Sequence, residues 1–304
     1  SGGKLKRTKT GVYVGYMGDI DGYKYQQIVK SSEDFSTPTG YLSSNIAGRV
    51  SYIMDLKGPN LMVDSACSSS LVALDIACKG LRDGSCDQAL VGGIRLKTIP
   101  VEDGFKAGFE SSDYRSRPFD ISSDGTGEGE GIVAIMIKPL SAAQADRDHI
   151  YAVIKGMAVN NDGASLGLSA PNPAAQTAVI LEALQKANVE PGTVSYIEAQ
   201  GTGTPIGDPI EVQGLTNAYG RDNEKMQYCS IDSVRGNVGH LYEASGLSSL
   251  VKCCLMLKHK IIPLLANFKE ANKSIKFELT PFYPTTVETE WTAVNGVRRC
   301  GINN

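Results

Sequence analysis

The sequence has 304 residues, a formal net charge of -3, 41% hydrophobic residues and 21% charged residues, which is typical of a globular chain with a substantial core. This balance gives no broad basic surface for nucleic acid, and the cationic run at residues 4–9 is better interpreted as solvated surface. No apolar run approaches the ~20 residues that span a bilayer, and the first residues do not resemble a signal peptide. We therefore expect a cytoplasmic protein that binds neither nucleic acid nor membrane.

Cysteine and histidine usage argues against a disulfide framework and against a metal site. The seven cysteines are an odd number, and their spacing matches neither a set of disulfides nor paired zinc-binding CxxC motifs. Only three histidines are present, at positions 149, 240 and 259. We expect no bound metal, and cysteines that fill the core with one reactive exception.

Strand-like runs alternate with helical patterns along the chain, and this alternation predicts an α/β fold with helix-covered sheets. In the first half, residues 11–18, 88–96 and 131–140 predict strands, and residues 60–84 predict a strand, a tight turn and a helix that Gly84 closes. An exposed link is expected at residues 141–149. In the second half, the predicted strands are residues 150–160, 193–199 and 228–234, and the predicted helices are residues 172–189 and 243–260.

Cys67 is the strongest candidate nucleophile. It lies in DSACSSS, where a predicted strand ends and a helix begins, so unpaired N–H groups and the positive end of the helix dipole would favour a thiolate. Small neighbours leave room for a substrate. The alternative interpretation is a small cysteine that fills the start of a buried helix.

Two loops in the second half attract attention for their polar residues. His240 ends NVGH, a glycine-flanked loop ahead of a helix, and it is either a catalyst or a satisfied structural histidine. Gln200 lies at the bend of EAQGTGT, where the glycines allow a close approach to the backbone. The glycine-rich run at residues 124–132 lacks the lysine of a phosphate-binding loop and carries two glutamates, so we interpret it as tight turning.

Three motifs taken together resemble the signature regions of β-ketoacyl synthases, particularly the ketosynthase domains of modular polyketide synthases. They are DSACSSSL around Cys67, EAQGTGT followed by PIGDPIE, and NVGH. Further segments follow in the family's order across the whole chain: AGRVSYIMDLKGP, PFDISSDGTGEGEG, VNNDGASLGLSAPN and RRCGIN.

The resemblance implies a thiolase-like α/β fold, with two similar halves in a layered α-β-α-β-α arrangement, usually as a homodimer. The chain would be a single ketosynthase domain, incomplete at both ends. Residues 1–145 would form the half with the nucleophile, and residues 146–304 the half with the glutamine and histidine loops. Its partners would be an acyl carrier protein and neighbouring synthase domains. It would need no cofactor of its own, because the substrate is carried as a phosphopantetheine thioester.

The resemblance also implies roles for individual residues. Cys67 would accept the acyl chain, His240 would be the second of two active-site histidines, and Thr202 and Thr204 would hydrogen-bond the pantetheine arm. Two positions depart from the family pattern. Gln200 stands where elongating members have histidine, and Arg235 stands where the family usually has lysine.

Glutamine has an N–H donor but no titratable nitrogen, so the departure at Gln200 is expected to impair decarboxylative condensation while leaving acyl transfer to Cys67 possible. The leading hypothesis is therefore a non-elongating ketosynthase. The alternatives are an elongating synthase that tolerates Gln200, a catalytically idle scaffold that docks carrier proteins, and an unrelated cysteine hydrolase. The sequence does not predict the direction of the Arg235 effect.

Overall fold

The computed structural model describes residues 5–17, 42–96, 108–165, 167, 170–221 and 225–304. Positions 4, 18, 166, 168 and 169, which belong to segments interpreted above, lie outside the described residues. The described residues form two compact units. The first runs to residue 96 and includes residues 130–149 and 241–247, and the second contains residues 108–129, 150–240 and 248–304.

The first unit contains a four-stranded sheet in the order β2-β1-β3-β4, in which β1 lies parallel to β2 and β3, and β4 is antiparallel to β3. All six residues of β1 are buried, as expected for an apolar strand covered on both faces. The elements of this unit are β1 (Thr10–Gly15), α1 (Ser44–Met54), β2 (Asn60–Val63), α2 (Ser69–Arg82), β3 (Gln88–Arg95), β4 (Gly131–Ile137) and α3 (Leu140–Ala145).

Helix α2 packs closely against β1, and one glycine makes this approach possible. A Cβ atom at Gly15 would lie 2.6 Å from the backbone nitrogen of Ser70, which is closer than real Cβ atoms approach. The helix turns Ala73, Leu74 and Ala77 into the core. The first turn of α2, which follows β2 in the chain, is therefore packed against the end of β1.

The second unit contains a parallel sheet in the order β10-β5-β6-β8 and a short antiparallel pair, β7 and β9. Its main core includes Phe119, Leu215, Ile231 and Phe282, all at most 1% exposed. The elements are α4 (Pro173–Ala187), β5 (Tyr196–Glu198), α5 (Gly207–Tyr219), β6 (Cys229–Asp232), α6 (Arg235–Val238), α7 (Ser245–His259, which begins in the first unit), β7 (Ile261–Ile262), β8 (Phe282–Pro284), β9 (Thr289–Glu290) and β10 (Cys300–Ile302).

The two units repeat one strand pattern. In the first unit β1 lies between β2 and β3, and in the second unit β5 lies between β6 and β10, with every one of these pairs parallel. In each unit the next strand in the chain after the central strand is β2 or β6, and a candidate site residue follows it. Cys67 comes after β2, and Arg235 and His240 come after β6.

One strand prediction made from the sequence is wrong, and one predicted link contains a helix. Residues 150–160 were expected to form a strand, but they lie outside the sheet of their unit, which ends at β10 and β8. An apolar run becomes a strand only where a neighbouring strand completes its backbone hydrogen bonds. The expected exposed link at residues 141–149 is exposed along most of its length. It begins, however, with helix α3, whose alanine-rich sequence favours a helix and whose Ala143 is buried.

Candidate active site

Cys67 lies in a one-turn 3-10 helix, Ala66–Ser68, between β2 and α2, which confirms the predicted strand-to-helix position. The turn before it is sharp, because Ala66 adopts a left-handed conformation with φ of 52°. Hydrogen bonds fix this turn: Ser69 Oγ donates to the Ala66 carbonyl at 2.6 Å, and the Ser65 N–H donates to Ser69 Oγ at 2.9 Å. The half-buried Cys67 is therefore held at the start of a 14-residue helix.

Most of the other cysteines are poorly suited to act as nucleophiles. Burial raises the pKa of the thiols of Cys78, Cys86, Cys229 and Cys254. A hydrogen bond with Cys300, together with burial, raises the pKa of the Cys253 thiol. A thiol with a raised pKa supplies little thiolate near neutral pH, so these five side chains are weak nucleophiles.

The loop that carries Gln200 follows β5 and is anchored by a buried carboxylate of helix α5. The Gln200 and Gly201 N–H groups each donate to Glu211 at 2.7 Å, one to each oxygen. Asn303 Nδ2 also donates to Glu211, at 2.7 Å. Gly201 has a φ of 47°, a left-handed conformation that glycine adopts readily. The loop backbone is therefore fixed independently of the Gln200 side chain.

The two threonines of this loop lie at the start of α5. Their hydroxyl oxygens are 3.0 Å apart, and Thr204 Oγ1 also accepts a hydrogen bond from the Gly207 N–H at 3.1 Å. Thr202 Oγ1 donates to Asp208 at 3.2 Å. Asp208 further accepts hydrogen bonds from the backbone N–H groups of Gly203 and Phe119, at 3.1 and 2.7 Å.

Complete burial raises the pKa of Asp208 to about 7, although the three hydrogen bonds it accepts favour the charged form. The native state therefore holds more protons than the unfolded state between about pH 4 and pH 7. The free energy of unfolding should fall as the pH rises through this window.

The variant Asp208→Asn should lose this contribution, which amounts to up to about 4 kcal/mol across the window. Urea denaturation at pH 5 and pH 7.5 covers part of this window and should show a difference of about 2.5 kcal/mol, with Asp146→Asn as the exposed control. The assignment is wrong if Asp208→Asn and the wild type lose the same stability between the two pH values.

Arg235 and His240 are buried together, with exposed fractions of 1% and 3%. Arg235 Nε donates to His240 Nδ1 at 3.2 Å. One terminal nitrogen of the guanidinium donates to the Gln200 carbonyl, and the other donates to Asn304 Oδ1 at 2.7 Å. Arg235 therefore connects the Gln200 loop to His240.

The glycine-rich run at residues 124–132 supports both loops, and its tight turning is as interpreted from the sequence. The Gly125 N–H donates to the Gly203 carbonyl at 3.0 Å, and the His240 N–H donates to the Gly127 carbonyl at 2.7 Å. At Gly127 a Cβ atom would lie 2.2 Å from the Tyr114 carbonyl oxygen, so only glycine fits. The second unit thus brings together Gln200, Thr202, Thr204, Arg235 and His240, while Cys67 belongs to the first unit.

Two family models match the chain: the β-ketoacyl synthase N-terminal domain over residues 2–143 and the β-ketoacyl synthase C-terminal domain over residues 151–269. An oxazolomycin ketosynthase domain from Streptomyces albus JA3453 is 34% identical, with a TM-score of 0.77, over 96% of this chain and 68% of that chain. The chain belongs to the β-ketoacyl synthase family. The ketosynthase from module 6 of the bacillaene synthase of Bacillus subtilis 168 is also similar, with a TM-score of 0.90 and 34% identity over 99% of this chain and 53% of that chain.

Polyketide synthase PksM of Bacillus subtilis (strain 168) is 40% identical over 99% of this chain. The chain spans 7% of the length of PksM. The solved ketosynthases confirm the predicted thiolase-like α/β fold class. In the part of this ketosynthase that the structure describes, no helix is long and apolar enough to cross a membrane, and no group of three potential ligands could hold a metal ion.

A buried ionic network behind the second-unit site was missed by sequence reasoning. Lys252 Nζ lies 3.0 Å from Glu198 Oε2 and 2.7 Å from Asp232 Oδ2, and both carboxylates are fully buried. The carboxylates also bind the chain just after β6, because the Val234 N–H donates to Glu198 and the Ser233 N–H donates to Asp232, each at 2.5 Å. Burial alone would lower the pKa of Lys252, but the two carboxylates raise it and hold the lysine charged.

Proposed function

We propose that this ketosynthase accepts an acyl chain from a carrier protein on Cys67 and passes it on without decarboxylative condensation. The observation that carries the proposal is Gln200, a neutral amide on a loop whose backbone is fixed by Glu211 and Arg235. The position of Cys67 at the start of α2 supports its role as the acyl acceptor. Because the chain spans a small part of PksM, its host assembly and neighbouring domains are part of the proposal.

Acyl transfer needs a nucleophile, a donor for the developing oxyanion and a groove for the pantetheine arm. The Cys67 thiolate attacks the thioester carbonyl, the bond from that carbonyl to the pantetheine sulfur breaks, and the released thiolate takes up a proton from water. The acyl chain leaves by the reverse reaction, in which the pantetheine thiol of an accepting carrier protein loses its proton to water, attacks the Cys67 thioester and releases the Cys67 thiolate. His240 would donate a hydrogen bond to the carbonyl oxygen. Thr202 and Thr204 would bind the pantetheine arm with their hydroxyl groups. The substrate brings its own phosphopantetheine, so the domain would need no further cofactor.

Condensation requires stabilisation of an enolate, which acyl transfer does not require. A malonyl thioester loses carbon dioxide and leaves an enolate, which donors and positive charge must stabilise. Glutamine can donate an N–H hydrogen bond but can neither accept a proton nor carry charge near neutral pH. The loss of positioned acid or base assistance costs roughly 10²–10⁴ in rate, so extension is expected to be slow while transfer survives.

We also propose that the ketosynthase forms a homodimer through the edge of β2. Among the residues that the structure describes, this strand ends the sheet of the first unit. Large apolar side chains are exposed beside it, since Leu61 on β2 is 43% exposed, and Tyr52 and Ile53 at the end of α1 are 87% and 78% exposed. An exposed sheet edge with apolar neighbours favours pairing with a second copy. Sedimentation velocity would contradict this proposal by giving the mass of a monomer.

Intact-mass spectrometry tests the proposed reaction directly. The 304-residue ketosynthase is incubated with a carrier protein loaded with an acyl group and a carrier protein loaded with a malonyl group. The Cys67→Ala variant is the control. We expect an acyl adduct on the wild type that is absent from Cys67→Ala, and no extended product. A rapidly formed β-ketoacyl product would show that the ketosynthase elongates the acyl chain. Retained carrier binding without an adduct would show the docking scaffold.

A further inference from the structure

We propose that Arg235 is a positioning residue that fixes His240 in the neutral Nε2–H tautomer, so that His240 acts as a hydrogen-bond donor and not as a base. The inference rests on the proposed function for the identity of the acceptor, which would be the carbonyl oxygen of the transferred chain. The tautomer itself can be measured without any reaction.

The direction of the contact between Arg235 and His240 determines the tautomer. A guanidinium has five N–H donors, no acceptor, and a charge that persists at all accessible pH values. At 3.2 Å, Arg235 Nε can only donate to His240 Nδ1, so Nδ1 must present its lone pair. A neutral imidazole carries one proton, and it is then on Nε2. His240 is consequently a hydrogen-bond donor at Nε2.

The guanidinium cannot easily turn away, because its nitrogens are held by partners in different parts of the chain. Its terminal nitrogens donate to the Gln200 carbonyl and to Asn304 Oδ1. The Gln200 carbonyl is itself held, since it also accepts a hydrogen bond from Ser233 Oγ at 3.0 Å. The carboxylate of Glu211 interacts electrostatically with Arg235, which offsets the cost of burying the positive charge.

Lysine at position 235 would supply a different contact. A lysine ammonium is a single point charge on a flexible stem, whereas the arginine fork bonds three partners at once in one plane. Those three partners are His240, Gln200 and Asn304. Arg235 therefore links the tautomer of His240 to the position of the Gln200 loop. Because the protonated Nε2 atom has no free lone pair, it cannot take a proton from a substrate.

Nitrogen-15 NMR of the histidine-labelled 304-residue chain tests this inference. The chain has only three histidines, so His149→Gln and His259→Gln variants assign the His240 signals. We expect wild-type His240 to be protonated on Nε2 alone, and Arg235→Met to show a mixture of the two neutral tautomers. Arg298→Lys, which changes an arginine that donates to the Trp291 carbonyl, is the control that should leave the His240 signals unchanged.

Acylation kinetics supply the second measurement. The rate of Cys67 acylation should fall about two-fold in Arg235→Met if the two tautomers are equally populated, and by up to about 10²-fold if the donor is lost altogether. If Arg235→Met does not fold, Arg235→Lys is used, and a detectable Nδ1–H population is expected there as well. A wild-type Nδ1–H tautomer, or a folded variant with unchanged His240 signals, overturns the inference. Failure of the wild type to acylate Cys67 would instead overturn the proposed function, with the tautomer measurement still decisive for Arg235.

Discussion

Replacing Gln200 with histidine is expected to raise the decarboxylation of a carrier-bound malonyl group by roughly 10²-fold or more. The substitution should change the chemistry of the loop without moving it. The backbone N–H of Gln200 is held by Glu211, and its carbonyl is held by Ser233 and Arg235. Histidine would add a nitrogen that can carry positive charge beside the developing enolate. Release of carbon dioxide from malonyl carrier protein measures the effect.

Gln200→Met is the matched control, because it keeps the length of the side chain and removes the amide donor. It should decarboxylate no faster than the wild type. Because Arg235 also departs from the family pattern, Gln200→His is compared with the double variant that adds Arg235→Lys. If neither variant exceeds the wild-type rate, Gln200 is not what limits condensation.

Replacing Lys252 with methionine is expected to lower the free energy of unfolding by about 3–5 kcal/mol, since it leaves two buried carboxylates without their counter-charge. Glu198 and Asp232 are fully buried, and Lys252 Nζ lies within 3.0 Å of both. The same carboxylates hold the backbone that leads to Arg235. Urea denaturation followed by circular dichroism measures the loss.

Lys258→Met is the control on the same helix. Lys258 is exposed and contacts the Tyr151 ring at 5.5 Å, so its replacement should change stability by less than about 1 kcal/mol. If Lys252→Met and Lys258→Met are equally stable, the ionic network does not stabilise the fold. The measurement does not depend on which reaction the ketosynthase catalyses.

The strands that sequence reasoning found most securely are those with continuous apolar runs and partners in the same unit. Strands β1, β3 and β4 lie where the sequence predicted them, and their backbone hydrogen bonds go to one another. Residues 150–160 have a similar apolar pattern but lie in no strand. Periodicity reports which residues can be buried in a sheet, but it does not report whether a neighbouring strand is present.

Site residues were predictable where a motif or a helix start marked them, as for Cys67 and the Gln200 loop. The groups that hold those residues were not predictable, because their partners are far apart in the sequence. Glu211 accepts hydrogen bonds from Asn303, which lies 92 positions away. Arg235 donates to Asn304, which lies 69 positions away. The acidic residues of PIGDPIE were the available signal, since buried carboxylates require donors nearby.

A single-turnover experiment that follows one labelled acyl chain on Cys67 distinguishes transfer from extension. The chain is loaded from an acyl carrier protein, malonyl carrier protein is added, and the masses of Cys67 and of both carriers are recorded over time. If the ketosynthase transfers the acyl chain without extending it, the label appears on Cys67 and then on a carrier protein with its mass unchanged. A labelled β-ketoacyl chain two carbons longer, formed as fast as the transfer itself, would contradict the proposed function.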